Sequence, residues 1–284
     1  MATKTLIKLL EEALKQLSAG PGRAVNEDLC DETRRWKSRL MGLEKQANTL
    51  ADTHFQLGNI LYFDGDLDKA IAEYREAIKL NPDYESAHYN LGSALEDKGD
   101  LDEAETEFRK AIEINPNNVK ACYRLGYILV KKEKKTKGNL EEAIADFSKA
   151  IELKPDFTGA YIKRGYALLV YAAHFADKNN SDDRDTCSTA DIMLNKAITD
   201  FSKAIELEPD SKLAYLVYYM QGLAKADIGD TAGAIADCDK AIELCPYFPG
   251  AYKLRGIVKE KKGDFEGAKK DFEAFEALSC YKTK

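Results

Sequence analysis

Residues 51–84, ADTHFQLGNILYFDGDLDKAIAEYREAIKLNPDY, and residues 85–118, ESAHYNLGSALEDKGDLDEAETEFRKAIEINPNN, carry one pattern twice, 34 residues apart. Leu57, Gly58, Leu61, Ala70, Tyr74, Ala77 and Pro82 return as Leu91, Gly92, Leu95, Ala104, Phe108, Ala111 and Pro116. A fixed period of this length, with a Gly-Asp turn near its middle and a proline near its end, specifies a helix pair. Such a pair cannot bury its apolar side alone and must stack on copies of itself. In each unit the first helix (A) runs to the Gly-Asp pair, and the second (B) starts after it and ends before Asn-Pro. Asp66 and Asp100 are placed to cap the B helices, and the proline ends one unit while fitting the first turn of the next. Gly58 and Gly92 sit mid-helix, at a cost of about 1 kcal/mol relative to alanine. Close approach of Ala70 and Ala104 is expected to explain them.

The frame continues to the end of the chain. Unit three (119–157) keeps Gly126, Ala143, Phe147, Ala150 and Pro155, with extra residues around Lys131–Asn139 expected to lengthen helix A into a basic tip. Unit four (158–211) keeps Tyr161, Gly165, Leu168, Ala197, Phe201, Ala204 and Pro209. Its insert, Asp177 to Ala190, is polar and charge-rich and is expected to form a mobile loop near 176–190 between lengthened helices. Unit five (215–248) shows Tyr218, Gly222, Ala234, Cys238, Ala241 and Pro246, and unit six (249–284) shows Tyr252, Gly256, Ala268, Phe272 and Phe275. After unit six no further pair follows, so Phe275, Leu278 and Tyr281 are expected to be partly exposed, and a homo-oligomer through this last repeat is one expectation.

Residues 1–50 lack the repeat. Leu6, Leu9, Leu10, Ala13, Leu14 and Leu17 follow helical spacing up to the Ser18–Gly22 break, and a second helix is expected over about Asp31–Leu50 with Trp36, Leu40, Leu43, Ala47 and Leu50 on one side. The pair is read as a helical cap on the first unit; a partner-binding or membrane-surface arm is the rival reading. The opening residues resemble an amphipathic helix rather than an export leader, and no apolar run reaches the roughly 20 residues needed to span a bilayer. A cytoplasmic setting with reduced thiols is therefore expected.

Charge excludes further classes. A net charge of −7 argues against nucleic-acid binding. The six cysteines form no CxxC pair and three widely spaced histidines give no metal signature, so no metal and no cofactor is expected. His54 and His88 fall at equivalent repeat positions facing the A/B packing, and no glycine-rich phosphate loop exists, so no catalytic residue and no enzymatic activity are expected.

The pattern Leu57-Gly58, Leu61, Ala70, Tyr74, Ala77, Pro82 and its five echoes resembles the tetratricopeptide repeat over residues 51–280. The resemblance implies an all-α fold, a right-handed superhelical solenoid of antiparallel helix pairs, whose A helices line a groove for a peptide or partner segment. Helical periodicity then places Phe55, Gln56, Asn59 and Tyr62, Tyr89, Asn90, Ser93 and Asp97, and Lys120, Tyr123, Arg124 and Tyr127 on the groove side. Later units add Ile162, Lys163 and Tyr166, then Tyr219, Met220 and Leu223, then Lys253, Leu254 and Ile257.

Within this set, Asn59, Asn90, Lys120 and Arg124 match the spacing of the carboxylate clamp of tetratricopeptide co-chaperones, which grips acidic C-terminal tails. Phe55 stands where that clamp has a further lysine. The resemblance thus implies a protein-interaction scaffold with a peptide groove, with a chaperone-adaptor role and structural self-assembly as alternatives.

Overall fold

The computed structural model describes residues 23–132, 136–178 and 184–280, and side chains over 34–132, 136–174 and 189–279. These residues form twelve helices: α1 (Arg23–Phe63), α2 (Leu67–Leu80), α3 (Glu85–Lys98), α4 (Leu101–Ile114), α5 (Val119–Lys131), α6 (Lys137–Leu153), α7 (Thr158–Lys178), α8 (Arg184–Leu207), α9 (Ala214–Asp227), α10 (Thr231–Leu244), α11 (Pro249–Lys262) and α12 (Phe265–Cys280). They fall into two compact units, residues 1–116 and 117–284. In each unit, odd-numbered A helices pack on the even-numbered B helices that follow, and each B helix packs on the next A helix.

Sharp turns join A to B. Gly65, Gly99, Gly229 and Gly263 close α1, α3, α9 and α11 with φ between 83° and 97°, a left-handed conformation that costs any residue with a Cβ. Asp66, Asp230 and Asp264 then accept from the backbone of Lys69, Gly233 and Gly267 at 3.4, 2.9 and 2.9 Å. Asp100 does not make this bond, contrary to expectation; its carboxylate lies instead 3.8 Å from the Lys98 ammonium.

The mid-helix glycines have a different partner from the expected alanines. A methyl on Gly58, Gly92, Gly165 or Gly256 would lie only 2.7–2.9 Å from the ring of Tyr74, Phe108, Phe201 or Phe272. The ring one turn beyond the alanine fills the notch. At Gly126 and Gly222 the alanine's carbonyl, of Ala143 and Ala234, approaches at 3.1 and 3.4 Å. Tyr74, Phe108, Phe147 and Phe201 are fully buried, and burying such a side chain stabilises by about 1.5–3 kcal/mol.

Three elements depart from the sequence reading. The expected separate helix ending at Leu50 is absent: α1 runs unbroken for 41 residues because nothing between Arg23 and Phe63 stops it. Its only glycines, Gly42 and Gly58, are tolerated mid-helix. Trp36 and Leu43 on this helix are 53% and 61% exposed; the first expected helix, Leu6–Leu17, lies outside the described residues. In unit three, α5 stops at Lys131 and it is the B helix that gains length, from Lys137. There Thr136 accepts from the Asn139 amide at 3.2 Å and caps the helix start.

The expected loop of unit four is largely helix. α7 reaches Lys178 and α8 begins at Arg184, leaving 179–183 undescribed, because no Gly or Pro occurs between Gly165 and Pro209. At the end of the chain Phe275 and Leu278 are half-buried, while Tyr281 lies outside the described residues. Among the described residues no helix is long and apolar enough to cross a membrane.

Candidate peptide-binding site

In residues 1–116 the expected groove side chains largely answer one another. Asn59 Oδ1 accepts from the Tyr74 hydroxyl at 2.9 Å and from Asn90 Nδ2 at 2.7 Å. This bond gives the buried phenol its partner, and burial pushes the Tyr74 pKa up to about 12. Phe55 packs on Tyr84 and Tyr74, with ring centres 5.0 and 6.0 Å away, and Tyr89 on Phe108 at 5.7 Å. Tyr62 donates to Asp97.

His54 and His88 do face the A/B packing, as expected, but each has a partner the sequence reading missed. Nδ1 of His54 lies 2.6 Å from Glu73, and Nδ1 of His88 lies 2.7 Å from Glu107. The Pro82 carbonyl accepts from the other nitrogen of His88 at 3.0 Å. Tyr161 and Tyr252 occupy the same repeat position and donate to Pro155 and Pro246, each at 3.2 Å, so in α3, α7 and α11 this slot ties the A helix to the preceding turn.

In residues 117–284 the acid at the place of Glu73 and Glu107 meets permanent cations at Asp200, Asp237 and Asp271. Asp200 receives Nε and Nη2 of Arg164 at 2.8 and 2.7 Å, and Ser148 accepts from Nη1 of the same guanidinium at 3.0 Å. Asp271 pairs with Arg255 and with Lys259, the latter at 2.9 Å, and Asp237 pairs with Lys225 at 2.8 Å. Burial favours the neutral form of Asp271, but these two cations outweigh it and lower its pKa. At Asp237 burial wins over Lys225, and the pKa is raised.

The A face of this unit opens into a cavity of about 630 Å³ between α7 and α9. Ile162, Tyr166, Leu169, Leu216, Met220 and Leu223 supply most of its apolar wall. Its charged liners are Lys163 and Asp227. Burial lowers the pKa of Lys163 and raises that of Asp227. The wall forms because α7 presents Ile162, Tyr166, Leu169 and Val170 to Leu213, just before α9, and to Leu216 and Met220 of α9. A large apolar cleft with few polar groups is the usual form of a binding site.

Most of the expected groove residues of this unit line or border the cavity. Tyr123, Ile162, Lys163, Tyr166, Tyr219, Met220 and Leu223 are in its wall, and the Lys163 ammonium sits 4.7 Å from the centre of the Tyr127 ring. Tyr123 also packs on Phe157, and Tyr219 on Phe248, with ring centres 4.8 and 5.0 Å apart. Lys120 is exposed at the start of α5, and Arg124 is half-buried one turn later. Leu213, Leu216, Val217, Leu169, Val170 and Ala173 were not foreseen. They lie on flanks turned toward a neighbouring A helix, a contact the repeat frame does not rank.

Models of the tetratricopeptide repeat match this chain at residues 86–118, 107–145 and 215–248, and a further TPR repeat model matches at 58–99 and 135–169. The chain belongs to the tetratricopeptide repeat family. Among solved structures this tetratricopeptide protein is similar to YrrB, a TPR protein described as having an unusual peptide-binding site. Identity is 25% and the TM-score 0.56, over 70% of this chain and 88% of that one. It is also similar to MamA, with 26% identity and a TM-score of 0.54 over 68% and 96%.

Hsc70-interacting protein 1 of Drosophila melanogaster is 36% identical over 78 residues, 28% of this chain. The match spans only 20% of that relative's length. In general terms the repeats make this protein an interaction scaffold, in a family that is typically non-enzymatic.

Proposed function

We propose that this protein captures a peptide or partner segment on the A-helix face of residues 117–284, with the α7/α9 cavity as the anchoring pocket. The observation that carries the reading is the apolar wall itself, about 630 Å³ of space lined mainly by aliphatic and aromatic groups from two adjacent A helices. Tyrosines at the rim provide apolar area with a polar tip, suited to a segment whose backbone stays wet.

The test is a selection of random twelve-residue peptides displayed against the full chain. Affinities of the selected peptides are then measured for Tyr166→Glu, Leu213→Glu and Leu244→Glu. The first two place a charge at the exposed rim of the pocket, and the third does so on the exposed surface of α10. Binding falls at least tenfold in the first two and is unchanged in the third. Equal binding by all three, or no enriched peptide, contradicts the reading.

The match to the Hsc70-interacting proteins favours one second reading. In it, Lys120 and Arg124, one turn apart on α5, grip the carboxylate end of an acidic tail. Lys120→Ala and amidation of the peptide's C-terminus would each weaken such a complex, and indifference to both removes this reading.

A further inference from the structure

The charges of residues 117–284 are unevenly spread between the two helix types. The four A helices carry twelve Lys and Arg against three Asp and Glu. The four B helices carry eight against fifteen. In a chain of net charge −7 this makes one helix set basic and the other acidic. Some A-helix cations answer acids of the B helices, as Arg164, Lys225, Arg255 and Lys259 do.

Lys131 and Lys163 are used differently. They come from two helices, α5 and α7, yet both ammonium groups lie over one ring, that of Tyr127, 5.7 and 4.7 Å from its centre. Among the described residues neither meets a carboxylate in an ion pair. The ring face holds each cation by about 0.5–1 kcal/mol at an exposed site, which does not replace a carboxylate counter-charge. Lys163 is at the same time a liner of the apolar pocket. An anion beside these ammonium groups would supply the missing counter-charge and restore to Lys163 the solvation that burial withdraws.

We infer that the segment taken by the α7/α9 pocket is acidic as well as apolar: bulky aliphatic or aromatic side chains enter the cavity while an Asp or Glu of the same segment sits against Lys131 and Lys163. Asp227, on the last residue of α9, is the one acidic liner of the cavity and repels a second carboxylate at its own end. The segment therefore lies with its acid toward Tyr127 and its neutral or basic end toward Asp227.

This inference rests on the pocket being the binding site, and the peptide selection separates the two. Peptides enriched on the full chain contain Leu, Ile, Phe or Met together with Asp or Glu. Replacing that acid by Gln or Asn, or using the double variant Lys131→Met/Lys163→Met, lowers affinity roughly tenfold, the scale of one charge-assisted contact. Raising salt weakens the native pairing but not binding by the double variant. Thermal melting of that variant confirms the fold, since methionine keeps the apolar stem.

Apolar peptides that Tyr166→Glu displaces but that show no preference for acid, or that bind the double variant equally well, overturn the inference and leave the pocket standing. Peptides indifferent to Tyr166→Glu overturn the pocket and the inference together.

Discussion

The two units solve the same local problem with different chemistry. Each B helix places an acid immediately before the residue that fills the glycine notch: Glu73 and Glu107 in residues 1–116, Asp146, Asp200, Asp237 and Asp271 in residues 117–284. In the first unit a histidine answers it, four residues before the notch glycine. In the second, Asp200, Asp237 and Asp271 are answered by an arginine directly before the glycine or a lysine three residues after it. A histidine pairing depends on a proton that comes and goes near neutral pH, whereas arginine and lysine stay charged. One architecture thus carries a titratable half and a permanent half.

The comparison is tested most severely where a permanent pair is broken. Arg164→Met leaves Asp200, only 3% exposed, without its guanidinium. The expected loss is about 3–5 kcal/mol of stability in chemical denaturation, the cost of an uncompensated buried charge. A loss under about 1 kcal/mol would mean that the pairing does not matter. His88→Phe, which removes a partner whose own charge depends on pH, costs less.

The notch offers a second contrast, of smaller size. In Gly92→Ala the new methyl meets the Phe108 ring at 2.9 Å, and overpacking of this kind costs about 1–3 kcal/mol. At Gly222 the corresponding filler is Cys238, and the nearest atoms stand at 3.4 Å. Gly222→Ala therefore gains up to about 1 kcal/mol from helix propensity. Melting temperatures that move in the same direction in both variants would refute the notch account.

The histidine half gives a pH effect. Burial alone disfavours protonated His88, but its hydrogen bonds to Glu107 and to the Pro82 carbonyl outweigh that and raise its pKa above the ordinary histidine value of 6.5. Its stabilisation is accordingly complete below pH 6.5 and is lost as pH rises through the higher folded value. Amide exchange in α3 and α4, corrected for intrinsic rates, should show weaker protection at pH 8 than at pH 6. For Asp271, whose pKa is lowered, the contribution holds above the unfolded carboxylate range and is lost only in acid.

The smallest effect concerns thiols. Cys238 is fully buried and its pKa is pushed up to about 12 by burial, so it should resist alkylation at pH 8, while half-exposed Cys245 reacts.

The fold was legible because a 34-residue period with turn glycines at fixed places leaves few alternatives; Gly65, Gly99, Gly229 and Gly263 all take the left-handed turn their positions demand. Less legible was anything set by contact rather than pattern. The ring of Phe108, not Ala104, fills the notch at Gly92, because the helix-pair spacing that decides it is not written in the alternation of apolar residues. The histidine–glutamate pairs were readable in principle, since His54 to Glu73 and His88 to Glu107 share one spacing of 19 residues.

Helix length failed for a different reason. The polar run after Asp177 looked like loop, yet composition alone does not end a helix when neither glycine nor proline interrupts it. That extension adds Ala173 to the pocket wall, whose other α7 liners lie within the ordinary helix length. Lys163, Tyr166 and Met220 could therefore be named from periodicity, while Leu216 and Leu169 could not.

The central claim is that binding takes place between α7 and α9. Methyl NMR of the full chain, titrated with a peptide chosen by display, addresses it directly. The account predicts shifts concentrated at Ile162, Leu169, Leu216, Met220 and Leu223. Shifts confined to the methyls of the B helices α6, α8 and α10, with those five unmoved at saturation, would contradict it.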